Sequence, residues 1–225
     1  MRISGSGTLS AGKIDDELHV SGSAKIKGNF ECNGFQSSGS LRGEGNLTIH
    51  GNIKSSGSFR LIGSLHGDGN AKSSGSMRVG GEILVKGTLV NSGSLRTENR
   101  VEALQGINVS GSAHIKGGVS SQKLIKISGS STIHGDVSGY DISLGRKSKL
   151  SRNIYKHLSK VYGNIIARSY VKLIRTLVEG DVRGRNLYIG EGTVISGMVY
   201  YVDSIEVHEK ATLANEPIQI TERDL

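Results

Sequence analysis

Seven histidines and one cysteine are the side chains here best suited to acid–base, nucleophilic or metal chemistry, and their spacing serves none of these. His19, His50, His66, His114, His134, His157 and His208 occupy different registers of an internal repeat. A zinc site needs three convergent ligands, and no third histidine falls in line with His50 and His66. Cys32 has no His or Asp beside it in register, so it reads as a small filler of a core or corner rather than as a nucleophile. Being single, it forms no internal disulfide, which agrees with a reducing compartment. The glycine-rich stretches Gly5-Ser6-Gly7 and Gly43-Glu44-Gly45 lack the following helix and the Lys-Ser/Thr pair of a phosphate loop. The expectation is a protein that is not an enzyme and carries no cofactor and no metal.

The elements that hold these residues follow from a ruler in the sequence. Ser-Gly-Ser begins at Ser4, Ser21, Ser38, Ser56, Ser74, Ser92, Ser110 and Ser128. A short fixed period means one unit stacked on itself. Five residues after each first serine stand Leu9, Ile26, Leu61, Val79, Ile115 and Ile133, with Gly43 and Thr97 as exceptions. Nine residues after it stand Phe30, Leu47, Leu65, Ile83, Val101, Val119 and Val137. Alternation within short runs, as in Ile125 and Ile127, means strand. Coils of 17 or 18 residues suit three short strands and three corners, whereas helix-pair repeats need about 33 to 47. The chain has 33 Gly for such corners and only 1 Pro, which would remove a ladder donor. The predicted fold is an all-β, single-stranded β-solenoid of triangular section. It should have about twelve coils and a length of about 55 to 60 Å.

The period reappears at Gly163-Asn164-Ile165, Gly180-Asp181-Val182 and Gly197-Met198-Val199, after a phase slip. One further coil is readable before the slip, with Leu150 and Ile154 in the apolar columns, and about one face is missing near 155–161. A short helix is the alternative there, since Ile154, Leu158, Val161 and Ile165 fall at helical spacing. The expected organisation is an N-terminal stack over 1–154, further coils over 155–213 continuing it, and a short tail over 214–225.

Hydrophobic residues make up 35% and aromatics 4%. A thin solenoid needs only a narrow apolar column, and the regular columns argue against disorder. No run of 18 apolar residues and no signal-peptide pattern is present, so the expected location is cytoplasmic, peripheral at the inner face of the membrane where the chain meets lipid. The net charge of +8 is uneven. Four residues after the first serine stand Lys25, Arg42, Arg60, Arg78, Arg96 and His114, which stacking would bring into one line. A second concentration runs from Arg146 through Lys147, Lys149 and Arg152 to Arg185. Like charges that close repel unless anions offset them, so the stripe and belt are candidate contacts for an anionic membrane surface or an acidic protein. A solvated face that blocks sideways strand pairing is the competing explanation. No aromatics interleave with the basic residues, which argues against nucleic acid.

Two resemblances bear on function. The period is similar to that of hexapeptide-repeat acyltransferases, enzymes on a left-handed β-helix with a catalytic His beside an inserted loop. Here the aliphatic-Gly rhythm differs, as in Ile133-His134-Gly135. Val161-Tyr162-Gly163-Asn164-Ile165-Ile166-Ala167, Val178-Glu179-Gly180-Asp181-Val182, Ile195-Ser196-Gly197-Met198-Val199 and Ile133-His134-Gly135-Asp136-Val137 resemble the bactofilin repeat. That resemblance covers about 130–207 and is looser over 1–130. It implies a right-handed β-helix that polymerises end to end, without nucleotide, into non-polar cytoskeletal filaments. The leading expectation is therefore a scaffold whose partner is itself, as homopolymer or end-to-end dimer. The joining residues are expected to be Ile3, Leu9, Ile14 and Leu18 at one end, and Ile205, Val207 and Leu213 at the other.

Overall fold

The computed structural model describes residues 1–146 and 159–225. The chain winds into a β-solenoid of about 11 turns, in line with the expected dozen coils. Each turn contributes three short strands at nearly right register to the turn before. Ser58–Leu61, Leu65–Gly67 and Ala71–Ser73 form one such turn and define faces A, B and C. They pair in parallel with Ser76–Val79, Ile83–Val85 and Leu89–Asn91 of the next turn.

Inward residues of successive strands form continuous columns. On face A the column runs Leu9, Ile26, Gly43, Leu61, Val79, Thr97, Ile115 and Ile133, then Val161, Val178, Ile195 and Leu213. One buried apolar cluster extends from Leu18 to Val199. The two exceptions in this column are accommodated locally. Thr97 Oγ1 donates to Gly81 O at 2.6 Å, and the side chain of Leu61 fills the space a Cβ on Gly43 would occupy.

The corners explain the ruler. Between faces C and A, the central glycine of each triplet packs on the corner of the preceding coil. A Cβ on Gly93 would collide with the carbonyl of Gly75, and one on Gly75 with that of Gly57. Glycine is required there by a backbone approach between coils. Between faces A and B, a side-chain amide or carboxylate oxygen accepts from the backbone N–H of the next coil. Asn29 Oδ1 accepts from Asn46 N–H at 2.9 Å, Asn164 from Asp181 at 2.9 Å and Asp181 from Met198 at 2.8 Å. The polar residue after glycine in Gly-Asn-Ile and Gly-Asp-Val thus satisfies a corner donor.

The phase slip has a different form from the one expected. Ile133 pairs directly with Val161, Val137 with Ile165 and Leu144 with Leu173. No coil lies between these paired strands, and no face is missing among the described residues; the further coil expected from Leu150 and Ile154 falls on residues outside the described ones. Ser131 and Ser159, 28 residues apart, bond side chain to side chain at 2.9 Å, where other coils step 17 or 18. Face C ends at Leu144 and face A resumes at Ser159, and the stack continues as one from Ile133 to Val161. Leu150, Ile154 and Leu158 lie outside the described residues, while Val161 and Ile165 are strand residues, not helix.

The segment expected as a tail also joins the stack. Ile218–Gln219 pairs with Tyr200 and Tyr201 as the last strand of face B, and Glu222–Asp224 forms a 3₁₀ turn whose Glu222 contacts Arg185.

Candidate functional site

The histidines are tied into the coil surface. His50 places Nε2 2.8 Å from Glu31 and Nδ1 2.8 Å from Asp68. Lys13 sits 3.0 Å from Glu31 and Lys86 2.8 Å from Asp68, which completes a ladder of alternating charge across five coils. The carboxylates of Asp68 and Glu31 hold His50 above its ordinary pKa. With both ring nitrogens engaged, His50 has none left to activate a nucleophile. His66 lies 3.4 Å from Glu82, which Arg100 holds at 2.9 Å. His134 stacks on Tyr162 at 4.8 Å and meets His114 edge-on, and burial lowers the pKa of His114. Cys32 is fully buried, and that burial pushes its thiol up to about 11. Among the described residues no group of three His, Cys, Asp or Glu could hold a metal. His157 lies outside them.

The basic stripe stands where the spacing placed it. Lys25, Arg42, Arg60, Arg78, Arg96 and His114 are consecutive outward residues of face A. Two of its members are compensated: Lys25 reaches Glu44 at 2.8 Å, and Arg96 reaches Glu98 at 3.5 Å. Arg42, Arg60 and Arg78 make no ion pair among the described residues. Around the corner, Lys54 and Lys72 stack on face C. With Gln36, Ser38, Ser56 and Ser74 they line a shallow depression of about 200 Å³. These lysines were missed as part of the surface, although Lys54, Lys72 and Lys126 each stand two residues before a triplet.

The described cations of the basic belt do not form one patch. Lys160 continues the face A column. Arg183 covers the ring of Tyr200 at 4.5 Å on face B, and Lys172 covers Tyr188 at 5.4 Å on face C. Arg175 is buried, and Arg185 lies 3.5 Å from Asp203. Arg146 is exposed at the edge of the described segment, and Lys147, Lys149 and Arg152 lie beyond it.

The outermost turns differ from all others. Ile3, Leu9 and Ile14 at one end, with Ile205 and Leu213 at the other, pack on the core while remaining partly exposed; Val207 is 42% exposed. Leu18 corrects the expected set. It is fully buried because Arg2–Ile3 pairs over His19–Val20 and Met1 O accepts from His19 N–H at 2.9 Å. Strand segments 6–9 and 12–14 at one end, and 204–207, 212–213 and 218–219 at the other, each pair on one side only.

No helix among the described residues is long and apolar enough to cross a membrane. Compared with protein-family models, curated proteins and solved structures, the chain gives no match in any of the three.

Proposed function

We propose that this protein is a structural scaffold that self-assembles end to end through its β-solenoid into nucleotide-independent filaments. The supporting observation is the contrast along single columns: inward residues are closed off in every inner coil and left partly open on the outermost turns, beside one-sided strand edges. Such an edge is a template for another chain, and the apolar cross-section supplies the driving force. His50, His66, His114 and His134 are engaged by neighbouring side chains of the coil surface, which supports a scaffold rather than catalysis. On this reading the subunit is cytoplasmic, its first partner is another copy, and the arginine column of face A presents each subunit to an anionic membrane surface or an acidic protein. In a filament weak contacts of that kind repeat and add by avidity. This is the mode of assembly that the bactofilin resemblance implies.

The test is electron microscopy of purified protein beside Leu9→Arg and Leu213→Arg. Filaments of the parent chain and short rods of both variants support the reading; undiminished filaments from both variants refute it.

A further inference from the structure

The two ends are matched to each other column by column. On face A, Leu9 opens and Leu213 closes the same inward column. On face C, Ile3 opens and Val207 closes another, through Val20, Ser37, Ser55, Ser73, Asn91, Val109, Ile127, Leu144, Leu173 and Ile189. The outward column beside it begins at Arg2 and ends at Glu206, through His19, Gln36, Lys54, Lys72, Val90, Asn108, Lys126, Ser143, Lys172 and Tyr188.

Resting on the end-joining reading, we propose that subunits join head to tail, the first turn of one copy continuing the last turn of the next, so that the filament is polar. This departs from the non-polar filament that the resemblance implies. In this arrangement Leu9 lies over Leu213, Ile3 over Val207 and Arg2 over Glu206. All three junction edges on each side meet in parallel, the only pairing found among the described residues.

Charge separates this arrangement from joining of like ends. The last turn carries Asp203, Glu206, Glu209, Glu216, Glu222 and Asp224 against Lys210 and Arg223. Glu206, Glu209 and Glu216 make no ion pair among the described residues, so tail-to-tail contact sets uncompensated acids against each other. At the other end the acids are already met: Asp15 by Lys13 at 3.5 Å, Asp16 by the Met1 ammonium at 2.8 Å, Glu17 by His19 at 3.2 Å. Arg2 makes no ion pair among the described residues and is free to meet Glu206. Gly5 adds an independent sign. The central glycines of the later triplets are forced by a carbonyl of the preceding coil, but a Cβ on Gly5 would meet nothing within 4 Å. The open position fits the corner backbone of a joined copy. A heterologous contact of this kind generates an open filament.

The test uses probes with one introduced cysteine each in the 225-residue chain. Cys32 is buried and its thiol is raised, so an introduced cysteine at an end is the reactive one. Leu9→Cys and Leu213→Cys, and independently Ile3→Cys and Val207→Cys, are prepared with tags of different size and oxidised alone and mixed. Stacked columns would bring each pair to about 4.8 Å, within disulfide reach. A cross-link only in the mixtures is expected. A cross-link in either variant alone means like ends meet and overturns the polarity while leaving end joining intact. Filaments with no cross-link in any sample also overturn it, and the absence of both filaments and cross-links removes end joining itself. A charge exchange gives the second readout. Arg2→Glu and Glu206→Arg should each lose filaments, and the double variant should regain them; no recovery contradicts the Arg2–Glu206 contact.

Discussion

Ile115 and Leu213 belong to one inward column of face A, yet the first is buried and the second partly open. Residue type and local backbone are alike. What differs is that Ile115 has a coil on both sides and Leu213 on one. The same contrast separates Gly93, pressed by the Gly75 carbonyl, from Gly5, pressed by nothing. Inner and outer turns are thus chemically one structure in two states of completion, and on the proposed reading the difference is the surface that another copy would complete.

The largest expected effect comes from placing a charge at each site. Ile115→Arg buries an unpaired guanidinium and should cost more than about 4 kcal/mol, enough to abolish cooperative melting of the soluble chain. Leu213→Arg should leave the melting temperature of dispersed subunits within a few degrees while abolishing filaments. Equal loss of stability in both would erase the contrast between inner and outer turns. The glycines come next. Gly93→Ala should destabilise by about 1 to 3 kcal/mol through the backbone clash, whereas Gly5→Ala should be close to neutral in dispersed subunits. Urea melts of the two variants check this, and a comparable cost at Gly5 contradicts the packing described.

How far the sequence foretold this contrast depends on the residue. Leu9, Ile115 and Leu213 were legible as inward residues because one inward position per strand repeats at the coil step. Leu18 was misplaced because strand Arg2–Ile3, only two residues long, carries too little pattern to reveal that it roofs the first turn. The coil expected from Leu150 and Ile154 rested on apolar spacing alone, which cannot say which strand follows Ser131–Ile133 in the ladder; the described partner is Ser159–Val161, 28 residues on. The ladder Lys13–Glu31–His50–Asp68–Lys86 escaped notice because Glu31 pairs with Thr48, and its side chain reaches past that partner to His50, which shares its corner position with Asp68 and Lys86. Only the observed register brings their tips together.

Smaller effects separate two kinds of charged column. The alternating ladder is self-compensated, and its pH dependence has a defined sign. His50, raised by Asp68 and Glu31, contributes stability that is present below its unfolded pKa, about 6.5, and fades as pH rises through its folded value. Glu31, lowered by His50 and Lys13, and Asp68, lowered by Lys86 and His50, contribute above their unfolded values, about 4, and fade as pH falls through their folded ones. The ladder should therefore support the fold best between about pH 4.5 and 6.5, and His50→Gln should flatten the melting temperature between pH 5 and 8. An unchanged slope in that variant contradicts the ladder. The arginine column is the uncompensated case. Arg60→Ser with Arg78→Ser should leave stability unchanged or slightly raised, since like charges are removed. It should weaken sedimentation with anionic vesicles at low salt, and undiminished binding would exclude the column as the contact.

Negative-stain electron microscopy of the purified 225-residue chain, imaged across a concentration series, is the most direct test of end-to-end assembly. The account predicts unbranched filaments one solenoid wide that lengthen with concentration and collapse to short rods in Leu213→Arg. Single short rods of the parent chain at every concentration would contradict it.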